Sequence, residues 1–167
     1  MIIVIAVLGI AGAMVIPSMG QTGVLRVQAA VRTIVADITY AQSDAVAFQQ
    51  RRCVLFDVAT SSYRLVSVPG DTIDPDINTL YDPTSRTGLY EVSFEDNKFG
   101  DARITEVNFD DDSALVFDAM GGPLFDLNGN LPSQQVGTIT VTGSGSVFRI
   151  SVEPFTGRVT VTRVSGP

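Results

Sequence analysis

The sequence contains no histidine and no tryptophan, and it contains one cysteine and one lysine. Without histidine, the commonest general base and the usual zinc ligand are missing, and most catalytic triads are excluded. A disulfide within the chain is excluded as well, so we expect Cys53 to be a buried structural thiol. No pair of carboxylates with convergent spacing replaces these groups. We therefore predict that the protein is not an enzyme and has no catalytic residues, no metal site and no cofactor.

Charge is also scarce, and it is unevenly distributed along the chain. Charged residues make up 17% of the sequence, and the net charge is −7. Residues 1–66 and 136–167 carry +2 each, whereas residues 67–135 carry −11. Because an acidic surface repels the phosphate backbone, this distribution disfavours nucleic acid as a partner.

The longest uncharged segment is at the N terminus, where the first charged residue is Arg26. Its apolar part, Met1–Ile16, would be about 24 Å long as a helix, and a helix of about 20 apolar residues spans a bilayer. No basic residue precedes it and no small-residue cleavage site follows it, which argues against a signal peptide. We expect the natural chain to begin upstream of Met1. The segment predicted to lie in a membrane or a filament core consists of Ile2, Ile3, Val4, Ile5, Ala6, Val7, Leu8, Gly9, Ile10, Ala11, Gly12, Ala13, Met14, Val15, Ile16 and Pro17.

A weak zone follows this segment. Pro17 lacks a backbone donor, and Gly20 and Gly23 each cost about 1 kcal/mol in a helix, so we expect a kink or a locally melted turn. Beyond it, apolar residues recur every three or four positions, which predicts a helix that continues to about Gln50.

One face of this second helical part is apolar, and we expect it to pack on the protein's own sheet; a coiled-coil seam is the alternative. Five polar residues are expected to lie largely off this face: Arg26, Arg32, Asp37, Asp44 and Gln49. The face predicted to pack on the sheet consists of Val27, Val31, Ile34, Val35, Ile38, Ala41, Ala45 and Phe48.

From Cys53 onward the apolar period becomes two, which predicts β-strands. Residues 69–88 are rich in Asp, Pro, Thr and Asn and are predicted to form a long loop. One long helix followed by antiparallel strands is typical of the α+β class, with the second half of the helix packed on an antiparallel sheet or sandwich. We expect a membrane or filament-core segment, 1–23, and a globular part, 24–167. Strands are predicted at 54–58, 63–68, 89–95, 102–108, 114–118, 138–141, 147–152 and 158–162, with turns at 121–123 and 127–130.

Residues 2–17 resemble the conserved N-terminal helix of type IV pilins and type II secretion pseudopilins. Within that superfamily, residues 32–47 resemble a stretch of the minor pseudopilin H (GspH/FimT-like) family, and residues 52–57, 63–65 and 156–159 also fit its pattern. The resemblance implies a pilin-like α+β fold and a structural role.

The family pattern includes a start that this sequence does not contain. In the family a leader ending in glycine is removed, and the mature chain, which is methylated, begins Phe-Thr-Leu-x-Glu. Aligned on Gly9 and Pro17, Met1 would be the sixth mature residue, so the phenylalanine, the cleavage glycine and the glutamate are missing here. The resemblance covers residues 1–66 well and residues 113–163 loosely.

The resemblance implies a structural subunit of a type IV pilus-like filament, and a minor pseudopilin of a type II secretion system is the first choice. The alternative is a FimT-like minor pilin of a type IV pilus that takes part in DNA uptake or cargo binding. Such a subunit would be anchored by one helix in the bacterial inner membrane, with its globular domain in the periplasm or on an extracellular filament. The implied partners are other pilin or pseudopilin subunits, through the N-terminal helix, and membrane lipid before assembly.

DNA uptake by FimT-like pilins is associated with a basic C-terminal region, and this chain has three late arginines there. Arg158 and Arg163 differ by an odd number of positions, so one strand would direct them to opposite faces. No cluster of lysines accompanies them. We therefore interpret these residues as scattered surface charges rather than a DNA site: Arg149, Arg158 and Arg163.

Three groups of oxygen-bearing side chains could hold a cation, since calcium prefers oxygen ligands. We interpret residues 110–112, three consecutive aspartates, as a solvated turn. Residues 126–130 lack a later bidentate glutamate, so we interpret them as a turn as well. The third group lies in the long loop, and the resemblance leaves calcium open there because some major pseudopilins bind it in such a loop: Asp71, Asp74 and Asp76.

Overall fold

The computed structural model describes residues 19–95, 97–124 and 132–166. A 30-residue helix comes first and β-strands follow, so the predicted α+β class is confirmed. Along the chain the elements are α1 (Met19–Phe48), β1 (Arg51–Asp57), β2 (Ser62–Val68), α2 (Pro75–Asn78), β3 (Glu91–Ser93), a 3₁₀ turn (Asn97–Phe99), β4 (Arg103–Asn108), β5 (Ala114–Phe117), β6 (Pro123–Leu124), β7 (Gly137–Gly143), β8 (Ser146–Val152) and β9 (Val159–Ser165).

Helix α1 ends at Phe48, two residues before the predicted end. Gln49 adopts the left-handed conformation, with φ 50°. The N–H of Gln50 donates to the carbonyl of Ala45 at 3.1 Å, and the N–H of Gln49 donates to that of Val46 at 3.4 Å. These bonds satisfy carbonyls that the helix end would otherwise leave without donors. Because the left-handed position holds glutamine rather than glycine, the sequence gives little sign of this ending.

The strands form two antiparallel sheets. Sheet A has the strand order β3-β2-β1-β5-β6, and sheet B has the order β4-β7-β8-β9. The β1–β2 hairpin pairs Arg51 with Val68 at one end and Asp57 with Ser62 at the other. In sheet B, β4 and β9 are the edge strands.

The main core lies between α1 and the inner faces of both sheets. It joins Ile34 and Ile38 of α1 to Phe56 of sheet A and to Ile139 and Ile150 of sheet B. Sheet A is buried on its other face as well, which accounts for the unbroken apolar run in β1. The smaller cluster on that face consists of Cys53, Val66, Val68, Ala114, Val116 and Leu124.

Sequence and structure differ in two further places. The predicted loop 69–88 contains one turn of helix, α2, whose first N–H groups donate to the carboxylate of Asp74. Pro123 and Leu124 form the edge strand β6, although the sequence predicts a turn at 121–123. Proline is tolerated there because an edge strand needs no donor on its outer side.

Candidate functional site

The long helix is attached to both sheets along one face. It packs on β1 and β5 of sheet A and on β7 and β8 of sheet B. Of the residues predicted for this face, Val35 is partly buried against the core. Six others are at most 3% exposed, namely Val27, Val31, Ile34, Ile38, Ala41 and Ala45.

Phe48 is the predicted face residue that the structure does not bury. It is 68% exposed. It is the last residue of α1, and the chain changes direction at Gln49, so its ring does not reach the sheet core. Instead the guanidinium carbon of Arg52 lies 5.5 Å from the centroid of the Phe48 ring.

Near its N-terminal end, α1 lies against the turn between β7 and β8. A β-carbon on Gly143 would lie 2.7 Å from Cγ2 of Val27 and 3.0 Å from Cα of Ala102, so glycine permits this close approach. Asp101 accepts hydrogen bonds from the hydroxyl of Ser144 at 2.7 Å and from its N–H at 2.6 Å. These bonds lower the pKa of Asp101. We call these residues the N-terminal contact.

Near its C-terminal end, α1 is joined to one turn from each sheet by a single side chain. Nε2 of Gln42 donates to the carbonyl of Gly121 at 2.8 Å and to that of Thr156 at 3.1 Å. Gly157 has φ 65°, and a β-carbon there would lie 2.6 Å from the Gln42 amide nitrogen. Both features require glycine. We call these four residues the C-terminal contact.

Between the two contacts, Asp37 faces sheet A, although the sequence predicts that it lies largely off the buried face. It is 8% exposed and accepts hydrogen bonds from the hydroxyls of Tyr63 at 2.5 Å and Tyr90 at 3.0 Å. Burial raises the pKa of Asp37, and the two hydrogen bonds and the charge of Lys98 partly oppose that shift. Tyr40 stacks on Tyr90, with ring centroids 5.6 Å apart. This cluster fastens β2 and the residue before β3 to the helix.

Asp44 makes the second polar connection between α1 and sheet A. It accepts a 2.5 Å hydrogen bond from Nε of Arg52, and the two side chains are 10% and 6% exposed. Nη1 of Arg52 also donates to Oε1 of Gln50 at 2.9 Å and to Oγ of Ser67 at 3.1 Å. A buried ion pair of this kind is sensitive to the loss of either partner, because the remaining charge is left uncompensated.

The predicted membrane or filament-core segment, Ile2 to Pro17, lies outside the described residues. The part of the predicted weak zone that is described, from Met19, is helical through Gly20 and Gly23. Among the residues that the structure describes, no helix has both the length and the apolar character needed to cross a bilayer.

The three aspartates of the long loop have separate partners. Asp71 lies 3.0 Å from Nη2 of Arg51, and Asp76 lies 4.0 Å from Nη1 of Arg64. The carboxylate of Asp74 accepts from backbone N–H groups at the start of α2. Within the described ranges, no three acidic or cysteine side chains are grouped as a metal ion would require.

The other predicted turns and single residues also have defined positions. Asp110 and Asp111 form a tight turn in the left-handed region, with φ 52° and 67°. The candidate calcium loop at 126–130 lies outside the described residues.

Cys53 is fully buried, and burial raises the pKa of its thiol, so the group is held in its unreactive neutral form.

The late arginines do not converge on one surface. Arg149 is opposite Thr162 on β9, whereas Arg163 is opposite Phe148, the neighbour of Arg149 on β8. Because successive residues of a strand point to opposite faces, Arg149 and Arg163 lie on opposite faces of sheet B. Arg158 precedes β9 and is exposed.

Sequence reasoning missed the polar groups that attach α1. Asp37 lies three residues after Ile34 and four before Ala41, which is the spacing of the buried face, so its position could have been found. Its tyrosine partners follow far along the chain, and nothing local indicates them. The same is true of Gln42, whose two acceptors are main-chain carbonyls and leave no trace in side-chain identity.

Comparisons with known proteins bear on this arrangement. No family model and no curated protein matches the sequence. Among solved structures, the minor pseudopilin EpsH from the type 2 secretion system of Vibrio cholerae is similar, with a TM-score of 0.54 and 10% sequence identity. The superposition covers 83% of this chain and 97% of that one. The chain has the fold of a minor pseudopilin.

At this level of identity, the similarity concerns the fold. It confirms the pilin-like architecture that the resemblance of residues 2–17 and 32–47 implies, with a long helix packed on antiparallel sheets. The contacts of α1 thus belong to a fold that this chain shares with the EpsH minor pseudopilin.

Proposed function

We propose that the chain is a structural subunit of a type IV pilus-like filament and, more narrowly, a minor pseudopilin of a type II secretion system. The observation that carries the proposal is the attachment of α1 to both sheets from Val27 to Ala45. The uncharged sequence 1–25 directly precedes and enters this helix. A globular domain fixed to one end of such a sequence suits a subunit whose N-terminal segment packs in a membrane or among other subunits.

The chemistry of the apolar segment supports a transfer between these two environments. Apolar burial contributes about 25 cal/mol per Å² whether the surroundings are lipid or protein, so the segment can leave one for the other at little net cost. Gly9, Ala11, Gly12 and Ala13 are small enough to allow neighbouring helices to approach closely. Before assembly we place the segment in the bacterial inner membrane, with the β domain in the periplasm.

A filament subunit also needs a domain that moves with its helix. The N-terminal contact, the C-terminal contact, the Asp37 cluster and the Asp44–Arg52 pair hold α1 at four levels. One amide, that of Gln42, bonds a turn from each sheet, so both sheets are attached to the same residue near the helix end. In this proposal the partners are other pseudopilin or pilin subunits, and the role is structural rather than enzymatic.

The test is incorporation into filaments sheared from cells that express the full chain. We expect the wild-type chain to sediment with the filaments and Val7→Arg to be lost from them, because a charge in the apolar segment is costly in lipid and in a packed core. Val136→Arg is the matched control, since it makes the same substitution at an exposed position before β7. Filaments that contain other subunits but never this chain would refute the proposal.

A further inference from the structure

Strand β9 is open along its outer side. It pairs with β8 in regular register from Val159 to Arg163. Within the described ranges, no backbone group outside β8 bonds to the backbone of residues 159–162. In an antiparallel pair, about half of the N–H and C=O groups of an edge strand point away from the sheet. The outer side of this stretch can therefore pair with a further strand.

The two edges of sheet B differ in how they are protected. Natural edge strands avoid further pairing through charged residues, proline or irregular register. Strand β4 carries Arg103 and Glu106, and its register shifts between Ile104 and Glu106. Strand β9 has no proline and one charged residue, Arg163, and the register shift in its pairing lies beyond the regular stretch. Strand β9 is thus the edge of sheet B that is open to pairing.

An open apolar groove lies beside this edge, between α1 and β9. It has a volume of about 390 Å³. Helix α1 packs on β7 and β8, which leaves part of the inner face of β9 uncovered, and Val161 is accordingly 44% exposed. Val161 and Phe148 form the sheet side of the groove, and Val35 and Ala36 belong to its helix side. A strand added to β9 would place every second side chain above this groove.

The helix side of the groove also carries a positive charge. Gln28, Arg32 and Ala36 line the groove and follow one another at intervals of four residues, so they form a stripe along α1. Arg32 is exposed, and among the described side chains no carboxylate lies within ion-pair distance of it. No acidic residue is among the described residues that line the groove. A carboxylate on the groove side of an added strand would therefore meet a complementary charge.

A second copy of this chain does not supply that carboxylate. If two β9 strands paired with each other, each copy would bring Arg163, which lies on the same face as Val161, and Arg32 to one short interface, and like charges on neighbouring strands are destabilising. The edge strand β3 contains a carboxylate, but it has three residues, and Glu91 already lies 3.2 Å from Nη2 of Arg64. The charge of the groove therefore favours a strand from a different protein.

We propose that β9 binds an extended segment of a different protein by strand addition, with an apolar side chain above Val161 and carboxylates on the same face near Arg32. Main-chain hydrogen bonds to β9 provide affinity, and the side chains that face the groove provide specificity. The inference goes beyond the filament function and does not depend on it, because the site is complete within one copy of the chain.

The test uses the full chain in detergent and the capped peptide Thr-Glu-Thr-Val-Thr-Glu-Thr. In an extended conformation its valine and both glutamates lie on one face, and the pattern is the same in either chain direction. Amide hydrogen exchange, followed residue by residue by NMR, reports which backbone groups become paired. With the peptide at about ten times its Kd, we expect the outward N–H groups of β9 to exchange about tenfold more slowly.

Two control peptides separate backbone pairing from recognition of charge. Glu-Thr-Thr-Val-Thr-Thr-Glu has the same composition, but its glutamates lie on the face opposite the valine. We expect it to bind about fivefold more weakly, the scale of one exposed ion pair, and Thr-Lys-Thr-Val-Thr-Lys-Thr to bind more weakly still. Equal protection of β9 by all three peptides, or equal protection of β4 and β9, would overturn the inference. It would also be overturned if β9 were protected without peptide and lost that protection on dilution, because a second copy would then occupy the edge.

Two pairs of variants test the groove side of the site. Arg32→Glu should weaken binding of the acidic peptide about fivefold and favour the lysine peptide, whereas Arg26→Glu, on the same helix but packed near Gly100, should change neither. Val161→Asp should abolish protection by the acidic peptide, because it places a like charge below the valine.

Thr162→Asp is the control for Val161→Asp, since it adds the same charge on the opposite face of β9, and protection should persist. The N–H groups of β9 that bond to β8 exchange slowly in every variant that folds, so the same spectra report folding. Equal losses of peptide binding within either pair, in variants that fold, would contradict the proposed site.

Discussion

Asp37 and Asp44 lie seven residues apart on α1, about two helical turns, and both point towards sheet A. Asp44 is paired with the guanidinium of Arg52. Asp37 accepts instead from two neutral donors, the hydroxyls of Tyr63 and Tyr90. The same residue type on one helix face is thus compensated in two different ways.

The two carboxylates depend on their partners in different ways. A buried carboxylate beside a buried cation is stabilised as long as both charges are present. A buried carboxylate that accepts hydrogen bonds only from hydroxyl groups recovers little of the free energy of hydration that it loses on burial. This loss raises the pKa of Asp37. We therefore expect the Asp44 site to respond most to the loss of a partner and the Asp37 site to respond most to pH.

The largest effect is expected from Arg52→Met. It leaves Asp44 buried and without its cation, which should lower the free energy of unfolding by about 3–5 kcal/mol. Urea unfolding of the full chain in detergent, followed by far-ultraviolet circular dichroism, measures this change. The double variant Asp44→Leu/Arg52→Met should recover most of the loss, because it removes both charges together. If the double variant is as unstable as the single one, the stabilisation comes from the other contacts of Arg52 and not from the ion pair.

A smaller effect is expected at Asp37 when one donor is removed. Tyr63→Phe takes the 2.5 Å hydrogen bond from a carboxylate that stays buried, and the free energy of unfolding should fall by about 1–3 kcal/mol. Tyr90→Phe should cost less, because Tyr90 is half-buried and water can replace its hydroxyl. The same denaturant titration compares the two. Equal losses would mean that solvent does not reach the Tyr90 side of the carboxylate.

The long helix and the longer strands could be predicted from the sequence, because the spacing of apolar residues indicates directly which side chains are buried. The face from Val27 to Ala45 and the alternation in β7 and β8 each repeat with the period of their element. The two-residue edge strand β6 and the one-turn helix α2 are too short to show a period. Each is held by pairing with a strand that precedes it: β6 pairs with β5, and Thr79, which follows α2, pairs with Val66 of β2.

The partners of the polar groups on α1 could not be predicted from the sequence for a different reason. The partners of Asp37 are separated from it by 26 and 53 residues, and the acceptors of Gln42 by 79 and 114. Tyrosine, aspartate and glutamine are also common on exposed surfaces, so their identity alone does not indicate burial.

The smallest and most specific effect concerns pH. Because burial raises the folded-state pKa of Asp37 above the ordinary value of an aspartate, this group stabilises the fold fully below that ordinary value, and the contribution is lost as pH rises through the folded pKa. The charged and titratable groups that act on it are Tyr63, Tyr90, Lys98 and Asp82. Asp37→Asn removes the titration, so the stability of the variant relative to wild type should increase as pH rises from about 3 to about 7.

Asp101→Asn provides the control of opposite sign. The hydrogen bonds from Ser144 lower the pKa of Asp101, so its contribution is present at neutral pH and is lost as pH falls through the folded pKa. The stability of this variant relative to wild type should therefore decrease over the same rise in pH. Two aspartates of the same fold, one on α1 and one bonded to the β7–β8 turn, would then change stability in opposite directions. If both variants show the same slope, the hydrogen bonds to Asp37 lower its folded-state pKa more than burial raises it. Asp37 would then differ from Asp44 only in the kind of partner it has.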